Sequence, residues 1–159
     1  ALALRIQERA LAVCLGAASV HEVDRINIYH ATVLAMRRAL ARVPARLGQA
    51  PSHILVDGTP LRTLGYEHSA IVKGDAKCYA IACASIVAKV TRDRLMQRLD
   101  ARYPAYGWAR NAGYGTAVHQ AAIADVGLTP HHRRTFCLDE QVSLDLTLPM
   151  TGRRTDDHC

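Results

Sequence analysis

Two aspartates stand at positions in the sequence where carboxylate chemistry is possible. Asp57 follows the aliphatic run HILV and Asp75 follows SAIVKG, so each lies where a predicted buried strand ends. Ligand-binding residues gather at the strand ends of α/β sheets. Two carboxylates that meet there repel each other unless a hard cation such as Mg²⁺ neutralises them. Aspartate beside glycine is also a common turn residue, and position alone favours that structural role.

A second candidate is a polar stripe on the helix predicted for residues 78–99. Ser85, Lys89 and Asp93 recur at i, i+4 and i+8, so they drift only about 80° around the helix axis. The other positions are mostly small and apolar, which predicts a helix that packs closely on most sides. Lys89 and Asp93 also fit a simple intrahelical ion pair, worth only about 0.2–0.5 kcal/mol.

The elements that must position these residues alternate between helix and strand along the chain. Helices are predicted over 1–10, from about residue 20, over 26–43, 78–99 and 116–126, and buried strands over 11–19, 53–60 and 69–75. Ser19 and Glu22 have the spacing of a capping box, and Pro44 with Gly48 is expected to end the helix that begins at residue 26. The predicted fold class is therefore α/β, without an internal repeat or an interdomain linker.

Composition places the 159-residue chain among globular proteins, because 50% of its residues are hydrophobic and 21% are charged. No apolar run approaches the roughly 18 residues of a membrane span, so we expect no membrane association. The net charge is +6 and comes mostly from arginine, which binds phosphate in a planar, bidentate manner, so a polyanionic partner is favoured. The five cysteines form no C-x-x-C pair, which indicates reduced thiols in a cytoplasmic protein.

Several motifs together resemble those of type 2 ribonuclease H, the bacterial ribonuclease HII family. They are ILVDG, KGDAK, ASIVAKVTRDR, YPAYGWA, GYGT and HHRRTF, and they run in the family's order between about residue 20 and Phe136. The resemblance implies a ribonuclease H-like mixed sheet flanked by helices. It also implies metal-assisted hydrolysis, with Mg²⁺ or Mn²⁺, of RNA in RNA–DNA hybrids and cleavage 5′ of ribonucleotides embedded in duplex DNA. Such an enzyme is expected to act as a monomer.

The resemblance assigns roles to individual residues, carried over motif by motif. Asp57 and Asp75 are similar to the third and fourth members of the family's Asp-Glu-Asp-Asp metal site, which reverses the turn interpretation. Tyr114 in GYGT is similar to the tyrosine that senses the 2′-hydroxyl at a ribonucleotide–DNA junction. The remaining residues implied are nucleic-acid contacts at Lys77, Ser85 and Lys89, and supporting residues at Asp93, Arg133 and Arg134. For the two arginines, a structural ion-pair network with the helix beginning near residue 78 and a phosphate contact are equally favoured.

One motif of the family does not occur in this sequence. The Asp-Glu-x-Gly-Arg-Gly segment, which supplies two metal ligands on the first strand, is missing, and Asp139-Glu140 is no substitute. We therefore expect residues 1–136 to be a partial catalytic domain that lacks the first strands of the sheet. Residues 137–159 are expected to be a partly disordered C-terminal extension.

Two other functions compete with a nuclease at this point. A non-catalytic module that binds hybrids or DNA would keep the basic surface and lack the chemistry. A structural subunit would use the carboxylates and Tyr114 only in turns. Because half of the expected carboxylates are missing, we expect the 159-residue chain to cleave no hybrid by itself while retaining weak, salt-sensitive binding.

Overall fold

The computed structural model describes residues 2–135, which form seven α-helices, a 3₁₀ turn and a two-stranded sheet. The helices are Leu2–Arg9 (α1), Val20–Leu40 (α2), Val43–Leu47 (α3), Gly74–Lys77 (α4), Tyr79–Arg102 (α5), Trp108–Asn111 (α6) and Ala117–Val126 (α7). The strands are Leu55–Asp57 (β1) and Ser69–Ile71 (β2), and the 3₁₀ turn is Pro104–Tyr106. The predicted α/β class is confirmed, with helices dominating. Residues 137–159, expected to be an extension, lie outside the described part.

The sheet is parallel, with Val56 opposite Ala70 and Asp57 opposite Ile71. Both strands exist where the sequence predicts them, but they are shorter and less buried than predicted. Val56 is buried, whereas Leu55 keeps 37% of its surface exposed. The reason is that, within residues 2–135, β1 and β2 pair only with each other, so few neighbours cover them. The mixed sheet that the resemblance implies is not seen in this part of the chain.

A small core lies where α2 crosses the sheet. Leu64, in the connection 58–68 between the strands, has no exposed surface and packs with Val33 of α2 and Val56 of β1. The side chain of His68 supports this connection by accepting a hydrogen bond from the backbone N–H of Leu61 at 3.0 Å. The core therefore ties the crossover between the strands to α2.

The start of α2 confirms the capping box predicted from Ser19 and Glu22. A break at Asn27, whose φ is 63° and ψ is 169°, separates the short first helix from the longer second one, as the sequence predicts. The side chain of Asn27 caps the second part by accepting a hydrogen bond from the His30 N–H at 3.1 Å. Arg38 then reaches back to the Glu22 carboxylate at 2.6 Å, which links the two ends of α2.

The buried strand predicted over residues 11–19 is wrong, because this segment is irregular. It lies along α2 so closely that a Cβ at Gly16 would be 1.9 Å from the Ala35 carbonyl oxygen. The Arg38 guanidinium donates to the Ala17 carbonyl and that of Arg42 to the Leu15 carbonyl, both at 2.7 Å. Arginine side chains thus satisfy carbonyls that a neighbouring strand would satisfy in a sheet.

Two helix predictions need smaller corrections. Pro44 does not end a helix but lies in the first turn of α3, where its missing N–H is not needed, and Gly48 ends α3 with φ 75°. The close packing predicted for α5 is also wrong, because only Ile81 and Val87 are buried and Leu95 is 54% exposed. The main elements within residues 2–135 that contact α5 are α1, α4, α6, β1 and the 3₁₀ turn, and they leave apolar side chains such as Leu95 uncovered. Among residues 2–135, no helix is both long and apolar enough to span a membrane.

Candidate active site

The two predicted aspartates lie at the same edge of the sheet. Asp57 is the last residue of β1, and Asp75 lies in the first turn of α4, which follows β2 and contacts both strands. The Asp57 carboxylate accepts a hydrogen bond from the backbone N–H of Gly74 at 2.7 Å, so it touches the residue next to Asp75. The fold therefore brings the Asp57 carboxylate against the backbone of the segment that carries Asp75.

The tight turn before Asp75 depends on Gly74. A Cβ at this position would lie 2.7 Å from Cδ1 of Ile81 and 3.3 Å from the Asp57 carboxylate oxygen. The preceding residue, Lys73, has the left-handed conformation with φ 56°, which is unusual for a residue with a side chain and is often found at functional sites. The sequence KGD thus turns sharply from β2 into α4 and lets α5 approach the strand ends.

The donor set at this edge fits a divalent cation such as Mg²⁺ or Mn²⁺. Asp57 and Asp75 are both exposed, and one oxygen of each accepts a backbone hydrogen bond, from Gly74 and Ala76 respectively. The second oxygen of each carboxylate has no protein partner among residues 2–135. Mg²⁺ is held in proteins by one or two carboxylates together with substrate phosphates and water, so this pair suffices for part of such a site. Within the same range, no group of three or more His, Cys, Asp or Glu side chains is placed to hold a metal.

In the polar stripe of α5, Lys89 and Asp93 form the intrahelical ion pair that their spacing allows. The Lys89 ammonium lies 3.2 Å from the Asp93 carboxylate, and both side chains are at least partly exposed. Ser85, one turn earlier, is exposed, and so is Lys77 in α4. Asp93 thus pairs with Lys89, and the supporting role of Asp93 and the roles of Ser85, Lys89 and Lys77 toward nucleic acid stay predictions.

Tyr114 lies in the loop between α6 and α7, with its side chain 64% exposed. The loop turns at Ala112 and Gly113, both with positive φ, and the Asn111 carboxamide oxygen accepts a hydrogen bond from the Gly113 N–H at 2.9 Å. The Tyr114 N–H donates to the Asn111 carbonyl at 2.9 Å. The backbone of this glycine-flanked loop is therefore well defined by local hydrogen bonds.

A cluster of aromatic and histidine rings anchors this loop to the rest of the domain. Tyr106 stacks on Trp108 with ring centroids 5.1 Å apart, and His119 of α7 stacks on His132 at the same distance. All four rings are buried. This cluster is not predicted by the sequence patterns, in which YPAYGWA and HHRRTF indicate only a family resemblance.

The environment of His132 favours its neutral form. Burial lowers its pKa below the usual value, and the nearby His119 lowers it further. Its Nδ1 accepts a hydrogen bond from the Thr129 N–H at 2.9 Å, and its Nε2 is buried without a partner among the described residues. The segment after α7 is thus attached to the cluster by an uncharged imidazole.

Arg133 and Arg134 follow this cluster and lead back to α2. The backbone N–H of Arg134 donates to the Asp24 carboxylate at 3.0 Å, and Thr135 donates to the same carboxylate through its hydroxyl at 2.8 Å. These hydrogen bonds lower the pKa of Asp24, that from Arg134 most. The Arg134 contact is made by the backbone and to α2, so the role of the two guanidinium groups stays a prediction.

Arg92 is a residue of the site region that sequence reasoning missed. Its guanidinium donates to the Ala112 carbonyl at 3.0 Å and lies 5.1 Å from the centre of the Tyr114 ring. A sequence signal was present, because Arg92 follows Ser85 by seven residues and so lies on nearly the same face of α5. It joins the polar stripe to the Tyr114 loop.

These features define an α/β protein with a pair of carboxylates at the ends of adjacent parallel strands. The family model described as Ribonuclease HII matches residues 2–139. The chain therefore belongs to the ribonuclease HII family, which confirms the resemblance seen in the sequence.

Curated relatives agree with this assignment. The Ribonuclease HII of Granulibacter bethesdensis is 50% identical over 142 residues, which cover 89% of this chain and 63% of the relative. That of Synechococcus sp. (strain JA-3-3Ab) is 54% identical over 132 residues, covering 83% and 58%. That of Gluconobacter oxydans is 54% identical over 134 residues, covering 84% and 62%. The chain thus spans about 60% of the length of the relatives it matches.

Proposed function

We infer that the chain contributes half of the carboxylate site of an endonuclease that hydrolyses the RNA strand of RNA–DNA hybrids. The same site would cut 5′ of single ribonucleotides embedded in duplex DNA. The observation that supports this proposal is the hydrogen bond between the Asp57 carboxylate and the backbone N–H of Gly74, the residue before Asp75. Family membership supports the nuclease activity, and the exposed carboxylate pair supports the hydrolytic mechanism.

In the proposed reaction, the oxygen of a water forms a bond to phosphorus and the bond from phosphorus to the 3′ oxygen breaks. The products are a 3′-hydroxyl and a 5′-phosphate. When bound, Mg²⁺ or Mn²⁺ supplies the Lewis-acid chemistry that activates water and stabilises the leaving oxygen. Asp57 and Asp75 provide the hard oxygen ligands that such an ion prefers. The backbone N–H of Gly74 fixes the orientation of Asp57, so little reorganisation is needed on binding.

The remaining residues of the site are proposed to hold the nucleic acid. Lys77, Ser85 and Lys89 are exposed on α4 and α5, where they can contact backbone phosphates. Tyr114 is exposed in its loop, where its ring can stack on a sugar or base and its hydroxyl can contact the 2′-OH. The 2′-OH is the group that distinguishes RNA from DNA at a single position, so Tyr114 would provide the selectivity.

A second candidate function is the binding of hybrids or DNA without cleavage. Within residues 2–135, the structure shows two carboxylates at the site and no larger cluster of metal ligands. A protein with this site alone would bind hybrids or DNA without cleaving them. The family resemblance implies a metal site of four carboxylates, and the segment Asp-Glu-x-Gly-Arg-Gly supplies two of them.

The test compares two proteins. One is the 159-residue chain, and the other, called here the extended protein, carries in front of the chain an N-terminal segment with the family motif Asp-Glu-x-Gly-Arg-Gly. Each is incubated with Mg²⁺ or Mn²⁺ and a DNA duplex that contains one ribonucleotide. An all-DNA duplex of the same sequence is the control substrate.

We expect the extended protein to cut 5′ of the ribonucleotide and the 159-residue chain to bind the duplex weakly without cutting it. Binding without cleavage by both proteins would favour the non-catalytic module. Specific cleavage by the 159-residue chain alone would show that the catalytic carboxylates have been misplaced.

A further inference from the structure

One side chain links the polar stripe of α5 to two points of the Tyr114 loop. The Arg92 guanidinium donates a hydrogen bond to the Ala112 carbonyl at 3.0 Å, and its central carbon lies 5.1 Å from the centre of the Tyr114 ring. The second distance is within the range of an attractive cation–π contact. Arg92 therefore contacts both the turn that precedes Tyr114 and the ring itself.

The turn needs such a contact because of its backbone conformation. Ala112 has φ 50° and ψ 29°, a left-handed conformation that is unfavourable for a residue with a Cβ. The planar fork of arginine is suited to holding a carbonyl in a fixed direction. The following Gly113, with φ 82°, packs against α5 because its Cβ position would lie 3.1 Å from Cε of Met96. The loop is thus docked on α5 over one helical turn, from Arg92 to Met96.

The ring of Tyr114 has no comparable support from elsewhere. Its side chain is 64% exposed, and among residues 2–135 no aromatic ring contacts it. The hydrogen bonds made by Asn111 fix only the backbone of the loop. The direction in which the ring points therefore depends on the Arg92 guanidinium.

We propose that Arg92 is a positioning residue that holds the Tyr114 ring in the orientation required to read a ribonucleotide. With the guanidinium on one side of the ring, the exposed remainder of the ring is presented for stacking on a sugar or base of the nucleic acid. This inference rests on the proposed role of Tyr114 in ribonucleotide recognition. It differs from a phosphate contact by Arg92, which would add equally to the binding of every duplex.

The experiment measures affinity of the 159-residue chain for two duplexes that differ only in one 2′-hydroxyl. Affinities are measured by fluorescence anisotropy in metal-free buffer, which prevents cleavage. The ratio is the dissociation constant of the all-DNA duplex divided by that of the duplex with one ribonucleotide. The variants are Tyr114→Ala, Arg92→Ala, Arg92→Lys and the Tyr114→Ala/Arg92→Ala double variant. Arg94→Ala is the matched control, because it removes one exposed arginine from the same helix, and within residues 2–135 the Arg94 side chain makes no hydrogen bond or ring contact.

We expect Tyr114→Ala to reduce the ratio by about 2- to 13-fold, the effect of losing one hydrogen bond, because the variant lacks the hydroxyl that is proposed to contact the 2′-OH. Arg92→Ala should reduce the ratio to a similar extent, and the double variant should be no worse than Tyr114→Ala, because both changes remove the same positioned ring. Arg92→Lys should lie between wild type and Arg92→Ala, since it keeps the charge and loses the planar fork. Arg94→Ala should leave the ratio unchanged.

The outcomes separate this inference from the function on which it rests. If Tyr114→Ala lowers the ratio and Arg92→Ala does not, the positioning role is wrong and the role of Tyr114 stands. If Arg92→Ala weakens both duplexes equally and lowers the salt dependence, Arg92 is a phosphate contact instead. If Tyr114→Ala leaves the ratio unchanged, both proposals fail.

A second measurement tests the positioning without nucleic acid. The ring resonances of Tyr114 in a two-dimensional NMR spectrum are assigned from the signals lost in Tyr114→Phe. They should shift in Arg92→Ala and stay in place in Arg94→Ala. Unchanged Tyr114 resonances in Arg92→Ala would overturn the inference whatever the chain binds, and circular dichroism of each variant checks that helix content is retained.

Discussion

The strand ends and the Tyr114 loop hold their key side chains by different means. At the strand ends, a backbone N–H, that of Gly74, fixes the Asp57 carboxylate at 2.7 Å. In the loop, a side chain from another helix, Arg92, contacts the Tyr114 ring at 5.1 Å. Both contacts join residues that are distant in the sequence.

This difference determines how each region responds to substitution. A backbone donor remains when a side chain is changed, so the strand ends are sensitive mainly to residues that alter the path of the chain. A side-chain contact disappears with a single substitution, so the loop depends on the identity of Arg92.

The largest effect is expected at the strand ends. In the extended protein, Asp57→Asn or Asp75→Asn should lower the cleavage rate on the order of 10³-fold or more, because a metal-binding carboxylate contributes several kcal/mol to the transition state. Binding of the hybrid should remain largely intact. Asp125→Asn, which changes an exposed aspartate of α7, is the control. Normal cleavage by Asp57→Asn would remove that residue from the catalytic site.

In the loop, Tyr114→Ala in the extended protein should weaken cleavage at a ribonucleotide–DNA junction more than it weakens overall binding. The loss of a stacking contact corresponds to about 1–3 kcal/mol. Cleavage rates on the duplex with one ribonucleotide are compared with dissociation constants for the same duplex. Junction cleavage equal to that of the unchanged protein would mean that Tyr114 is only an exposed loop residue.

A third substitution tests whether the path of the chain matters at the strand ends. Gly74→Ala should destabilise the fold by about 1–3 kcal/mol, because its Cβ would collide with Ile81 at 2.7 Å. It should also displace the donor to Asp57. Gly115→Ala is the matched control, since the nearest atom to its Cβ is 3.8 Å away and its φ is not in the left-handed range. Equal urea midpoints for the two variants would contradict the close approach at Gly74.

The smallest effect concerns the histidine that anchors the segment beyond the loop region. Because the folded-state pKa of His132 is lowered, the unfolded chain binds more protons as the pH falls through about 6.5, its usual value. Its contribution to stability is therefore complete above that pH and is lost below it. The free energy of unfolding in urea should be lower at pH 5.5 than at pH 7.5. This decrease should be smaller in His132→Asn. His21→Asn, which removes an exposed histidine, is the control, and an equal pH dependence in His132→Asn would refute the assignment.

The features read correctly from the sequence are those set by the backbone over a short stretch. The capping box of Ser19 and Glu22 and the start of the strands are local patterns, and they lie where predicted. Asp57 and Asp75 follow their strands as expected, because parallel strands end at the same edge. Motif resemblance then predicted a chemical role for them, which position alone did not favour.

The features that the sequence did not reveal depend on contacts between distant segments. Residues 11–19 have the composition of a strand, but the segment is irregular, and Arg38 of α2 and Arg42 before α3 donate hydrogen bonds to its Ala17 and Leu15 carbonyls. The exposure of β1 and α5 depends on which other elements pack against them, and the hydrophobic periodicity of a segment does not specify those neighbours. The contacts of Arg92 and the ring cluster around Trp108 were not predicted either. They depend on individual residues from distant segments, and no repeating sequence pattern indicates them.

The helix-free connection between the two parallel strands affects how the domain folds. Parallel strands are usually joined by a crossover helix, whereas residues 58–68 cross over as an irregular loop with Leu64 in the core. The entropy lost in closing a loop rises only slowly with its length, and this loop is short, so the strands meet at little entropic cost. Because Leu64 becomes buried only when it packs with both Val33 of α2 and Val56 of β1, closure of this loop and formation of the core should occur in a single cooperative step.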